Sequence, residues 1–178
     1  LACAQLRADD RLLACERHPE ELALLKAEFR GDRRVAVHGR DAYEALQGLL
    51  PPAQKRGLVL IDPPYEPPAE EFARLRGALT TARARFAQGI VALWYPIKDG
   101  AANQRWLRQV KALGLGEVLA CELCVWPDVQ GERLCGSGML VVNPPWQFAE
   151  RMQAEQAWLL TRLAREAAAR AAVVHVAT

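Results

Sequence analysis

Nowhere in the sequence does an apolar run approach the roughly 18 residues that cross a bilayer, so no membrane span is expected. The opening stretch, LACAQLRADD, lacks the charged-then-apolar profile of a secretory signal, and a cytoplasmic location is the expectation. Cysteine is sparse and odd in number, five without framework spacing, which excludes a disulfide-stapled scaffold and fits reduced thiols. Cys121 and Cys124 have C-x-x-C spacing, but no second pair lies nearby, and on a strand the two side chains would point to opposite faces. No metal is expected there. Neither charge sign dominates: the formal net charge is +2, so a nucleic-acid ligand would have to be met by a local patch.

What is present is enough apolar residue for one ordinary core, and the whole of 1–178 reads as a single domain. Strand and helix signals alternate along it. RLLACE, RVAVHG, GLVLID and GIVALWYP read as strands, and each precedes a helical pattern: PEELALLKAEFR, DAYEALQGLL, EEFARLRGALTTARARFAQ and AANQRWLRQVKAL. In the third helix Phe72, Leu75, Leu79, Ala82 and Phe86 recur at spacings of three and four, one apolar stripe. Pro19 suits a first helical position, with Glu20 and Glu21 in the first turn.

The pattern changes near residue 116. EVLACELCVW and GMLVVNPPW are strands joined by DVQGERLCGS with no helix between, which predicts an antiparallel pair. A last helix is expected from about Gln147 to Arg170, then a short apolar tail, VVHVAT. A mostly parallel α/β sheet closed by an antiparallel hairpin resembles, by analogy of fold, the class I S-adenosylmethionine-dependent methyltransferases, a Rossmann-like class.

Three successive strands end in an acid: Glu16, Asp41 and Asp62. In nucleotide-binding α/β folds an acid after a strand accepts hydrogen bonds from ribose hydroxyls, a role that fits Glu16, while Asp41 could accept from an adenine amine. S-adenosylmethionine carries both groups. Plainer readings stand beside these. Asp41 with Glu44 forms the D-x-x-E of a capping box, Glu16 could pair with Arg17 or Arg40, and Asp62 before two prolines could simply initiate a turn.

D-P-P-Y, residues 62–65, suits transfer to an amine. The lone pair of an exocyclic adenine amine is delocalised into the ring, so the task is to favour the pyramidal nitrogen. An ionised Asp62 and the carbonyl of Pro63 can accept its two N–H bonds, and Tyr65 can stack on the base. Inside a duplex the base would have to be flipped out. A second motif of the same type, N-P-P-W at 143–146, follows a later strand. Order along the chain favours Asp62, since Glu16 and Asp41 lead to it, and N-P-P-W reads mostly as a strand terminus in which Asn143 edges the pocket. Trp94 or Tyr95, at the end of the fourth strand, is expected to wall the target-base pocket or else to pack in the core. Lys55, Arg56, Lys98, Arg105 and Arg108 are the basic candidates for RNA contact.

ERHPEE, GRDAYEAL, KRGLVLIDPPYE, FAQGIVALWYPI and SGMLVVNPPW together resemble the ribosomal RNA large subunit methyltransferase J family, bacterial enzymes that methylate adenine N6 in large-subunit ribosomal RNA with S-adenosylmethionine. The likeness runs in order through nearly the whole chain. It implies Asp62 as the catalytic acceptor, with Pro63 and Tyr65 beside it, Glu16 on the cofactor ribose and Asp41 on its adenine. The family begins with a segment whose basic residue and histidine reach the cofactor, then a first strand and a glycine-rich loop, and neither is found here. The resemblance therefore implies a C-terminal portion, with the missing strand in the middle of the sheet between those ending at Glu16 and Asp62. An amino methyltransferase for DNA adenine or a protein amide, and a non-catalytic RNA- or partner-binding remnant, are the alternatives.

Overall fold

A computed structural model describes residues 2–65, 68–127 and 133–177, with backbone alone at 68 and 69. The first half of the expected connection DVQGERLCGS, residues 128–132, lies outside the described residues. The chain forms two compact units, residues 1–50 and 51–178.

In the first unit β1 (Leu12–Cys15) lies parallel to β2 (Val35–His38), with Leu12 opposite Val35 and Cys15 opposite His38. Between them runs α1 (Pro19–Glu28), opened by Pro19 and carrying Glu20 and Glu21 in its first turn. Gly31, at φ +89°, turns the chain after it. Arg34 grips both carboxylate oxygens of Asp32 at 3.0 and 2.7 Å and donates to the Leu6 carbonyl at 2.9 Å, tying the N-terminal turn to the start of β2. This fork holds the Asp32 carboxyl well below its usual range. The unit closes with α2 (Ala42–Leu49).

In the second unit a five-stranded sheet has the order β3 (Leu58–Ile61), β4 (Ile90–Ile97), β6 (Gly136–Val142), β5 (Val118–Cys124), β7 (Arg170–Ala177). β3 and β4 pair in parallel, whereas β6 runs antiparallel to β4 and β5, and β7 antiparallel to β5. Three strands therefore run one way and two the other. The predicted β5–β6 pair forms. Helix α3 (Pro68–Arg85) buries Leu75, Leu79 and Ala82, with Phe86 of the predicted stripe buried just beyond its end, while α4 (Gly100–Lys111) buries Asn103, Trp106 and Val110. β3 is an outer strand, and Leu58 and Leu60 stand exposed on it.

The end of the chain differs from expectation. The last helix, α5 (Phe148–Leu163), stops a full turn and more before Arg170, and the apolar tail is a strand. The alanine-rich run is a good helix former, but the β-branched residues Val173 and Val174 pair along the free side of β5, and Arg170 is anchored to Glu122 at 3.1 Å. Tertiary pairing outweighs local propensity here.

Candidate active site

β3, β4 and β5 run together, so Ile61, Ile97 and Cys124 end at one edge of the five-stranded sheet, where β6 and β7 begin at Gly136 and Arg170. Asp62 stands at this edge, one residue beyond the last β3–β4 pair, Ile61 with Leu93. Its side chain is exposed and has no hydrogen-bond or ion-pair partner among the described residues. Pro63 and Pro64 offer no N–H, so the β3–β4 ladder runs out of donors there.

Tyr65 closes the motif in an unusual conformation. Its φ is +57°, a left-handed value rare for an aromatic residue, and its side chain is buried. Its hydroxyl donates to the Trp94 carbonyl. The ring lies against Phe72, with centroids 5.4 Å apart, and meets Trp94 edge-on at 5.8 Å, while Phe72 packs on Trp106 at 4.8 Å. The face expected to stack on a base is thus taken up by packing in this conformation. Trp94 is half-buried at the same edge, and the indole N–H of Trp106 is buried with no partner among the described residues.

Two expected pocket residues are elsewhere. Tyr95 alternates to the other side of β4 from Trp94, is fully buried, and donates its hydroxyl to Glu122 at 2.9 Å. A β-carbon on Gly138, its partner on β6, would fall on the Tyr95 ring, so the glycine makes room for it. Burial first, then the Glu122 charge, push the phenol up. Glu122 also accepts from Asn103 at 2.6 Å and from Arg170 at 3.1 Å. The core reading of Tyr95 is the one realised, and it cannot wall the pocket.

Asn143 is displaced further. Val142 pairs with Val91 near the beginning of β4, so Asn143 sits level with Ile90, whereas Asp62 is level with Trp94. Four residues at about 3.3 Å each put the two at opposite edges of the sheet, about 13 Å apart along the strands. Asn143 is itself left-handed, at φ +53°, and its amide donates to the carbonyls of Gln88 at 3.1 Å and Gly89 at 3.3 Å. It clamps the end of β6 to the start of β4 and does not edge a pocket at Asp62. Reversal of the β6 direction is what separates the two look-alike motifs.

In the first unit Glu16 follows β1, and its carboxylate accepts from the His18 N–H at 2.6 Å. Asp41 caps α2, accepting from the N–H of Tyr43 at 2.8 Å and of Glu44 at 3.3 Å, with the Arg17 guanidinium at 3.8 Å. The capping reading is therefore realised, and the surface partner of Arg17 is Asp41 rather than Glu16. Each carboxylate has about four lone-pair sites. The bond from His18 leaves acceptor capacity on Glu16, which remains suited to hydroxyl donors.

A parallel β1–β2 pair with an acid after each strand, and a five-stranded α/β sheet that ends in antiparallel strands and carries D-P-P-Y at its carboxyl edge, are elements of the class I methyltransferase fold. The chain belongs to the family described as ribosomal RNA large subunit methyltransferase D, RlmJ, whose model matches residues 1–176. It is 39% identical over 158 residues to ribosomal RNA large subunit methyltransferase J of Escherichia coli K12, covering 89% of this chain and 56% of that protein. Its namesake in Haemophilus influenzae is 36% identical over 153 residues, covering 86% and 54%. A crystal structure of a Legionella pneumophila protein superposes with a TM-score of 0.86 at 31% identity, over 98% of this chain and 64% of that one. The chain thus spans about half the length of the curated relatives it matches. Among the described residues no helix is long and apolar enough to cross a membrane, and no cluster of three or more potential ligands could hold a metal ion.

Proposed function

We propose that the protein methylates N6 of an adenine in large-subunit ribosomal RNA with S-adenosylmethionine as donor. The observation that carries this reading is the exposed, unpartnered Asp62 carboxylate at the carboxyl edge of the sheet, in a chain of this family. The family match runs through both units, which supports their belonging to one methyltransferase domain. Action on ribosomal RNA in turn implies a cytoplasmic place of work.

Asp62 and the Pro63 carbonyl accept the two N–H bonds of the target amine, which orients the nitrogen lone pair and favours its pyramidal form. The carboxylate keeps its charge, and the proton lost from the amine passes on to solvent. Tyr65 acts as a positioning residue, fixing the Asp-Pro-Pro segment from inside the core, and Trp94 offers the aromatic surface at the edge. S-adenosylmethionine, when bound, supplies an electrophilic methyl group. Glu16 and Asp41 would hold it through ribose hydroxyls and the adenine amine.

Asp62→Ala tests the reading. The expected result is loss of methyl transfer to RNA with S-adenosylhomocysteine affinity largely intact in calorimetry and the fold retained, because an exposed, unpartnered side chain contributes within about 0.5 kcal/mol to stability. Near-normal turnover by this variant would sink the mechanism. Transfer to duplex DNA or protein in preference to RNA, in assays run side by side, would replace the substrate.

A further inference from the structure

The charges of the second unit are segregated along the chain. Between Phe72 and Gly116 there are eight Lys and Arg residues and one acid, Asp99, in a chain whose whole net charge is +2. Asp99 is consumed locally: its carboxylate caps α4, accepting from the N–H of Ala101 at 2.8 Å and of Ala102 at 3.3 Å. The helix then runs to Lys111 without another acid.

Burial divides α4 cleanly. Asn103, Trp106 and Val110 face the core, whereas Gln104, Arg105, Arg108 and Lys111 occupy the opposite arc and are all exposed. Arg105, Arg108 and Lys111 recur every three residues. None of them, nor exposed Lys98, has an ion-pair partner among the described residues. An ordinary solvated helix face interleaves both signs as i,i+4 pairs, and this one does not. The contrast with α3 is direct, since Arg74 there pairs with Glu71 at 3.7 Å and Arg76 is held by Gln109 at 2.8 Å.

The stripe also has a direction. Lys98 follows Ile97 at the Asp62 edge, and the helix carries the charges away from it over about 18 Å. Trp106, on the inner side of α4, packs on Phe72, and Phe72 packs on Tyr65 of the D-P-P-Y motif. We propose that Lys98, Arg105, Arg108 and Lys111 form a track for the sugar-phosphate backbone of the RNA, leading the substrate strand along α4 to Asp62. The occupant is a polyanion, because unpaired cations at regular spacing with no large exposed apolar side chain among them suit phosphates and offer little to an apolar protein partner. This inference rests on the reading of the protein as an RNA methyltransferase.

The test uses the intact protein, a stem-loop RNA from the large ribosomal subunit, and fluorescence anisotropy at several salt concentrations. Removing two phosphate contacts with R105Q/R108Q should flatten the slope of log K against log salt by about 1.4 and weaken binding on the order of tenfold at 0.1 M salt. S-adenosylhomocysteine affinity and kcat at saturating RNA should hold while KM for RNA rises. R151Q/R162Q, which removes two exposed arginines of α5, should leave slope and affinity as in the wild type. A wild-type slope for R105Q/R108Q, or an equal loss in the α5 variant, overturns the track alone. A wild-type protein that neither binds nor methylates RNA overturns the track and the function together.

Discussion

The hydroxyl of Tyr65 donates to the carbonyl of Trp94, one residue past the point where the β3–β4 ladder stops. The contact replaces a backbone donor that Pro63 and Pro64 cannot supply, and it holds Tyr65 in a left-handed conformation with its ring buried on Phe72. Tyr65→Phe separates this anchoring role from base stacking. Phe stacks as well as Tyr, so a stacking residue tolerates the change. An anchor loses one hydrogen bond, and the expected outcome is about 1 kcal/mol less stability in urea unfolding and a lower kcat with KM for RNA unchanged. Wild-type kcat in Tyr65→Phe would return Tyr65 to the stacking role.

Asn143 should behave as a structural residue. Its amide bonds two carbonyls at the start of β4, and its φ is one that asparagine tolerates better than alanine. Asn143→Ala should cost about 2 kcal/mol, and Asn143→Gly less, because glycine loses the hydrogen bonds but not the backbone conformation. Both variants should keep wild-type kcat and KM below their melting range. A specific rise in KM for RNA would put N-P-P-W back among the substrate contacts.

Local signals were enough for much of this. The apolar runs ending at Cys15, His38, Ile61 and Ile97 marked the strands, and the stripe from Leu75 to Ala82 marked the buried face of α3. That the strand stops at Asp62 was legible as well, because two following prolines lack the N–H that would continue a ladder. What failed depended on partners far away in the chain. Trp94 and Tyr95 are adjacent, and only the register with Gly138 and Glu122 decides which of them is core. Asn143 carries a motif like that of Asp62, and only the antiparallel course of β6 sends it to the far edge. The Glu122 cluster left a faint trace, an acid within the apolar strand VLACELC opposite the glycines of β6.

That cluster makes its own prediction. Glu122 is buried and receives Tyr95, Asn103 and Arg170, which join β4, α4 and β7 to β5. Glu122→Ala strands three donors at once and should cost about 3–5 kcal/mol in urea unfolding, the usual penalty for breaking a buried charge pair from one side. Arg170→Met should cost less, since Arg170 is partly exposed and Glu122 keeps two partners. The double variant should fall short of the sum of the singles, and simple additivity would show that the pair is not coupled.

Cys121 sets a pH dependence. It is buried on β5, and desolvation pushes its thiol up to about 11 from an ordinary value of 9.0. Above pH 9 the unfolded chain gives up this proton while the folded chain keeps it, so the folded state binds more protons and stability falls as pH rises towards 11. Burial raises Cys15 and Tyr95 in the same direction, so the wild-type decline is a sum. Cys121→Val removes one share of it. In urea unfolding between pH 8 and 10, before the unfolded tyrosines titrate near 10.0, the variant should lose less stability per pH unit than the wild type. Below pH 9 the two curves should run parallel, and they should diverge above it. Parallel curves across the whole range would mean that the Cys121 thiol reaches solvent in the folded protein.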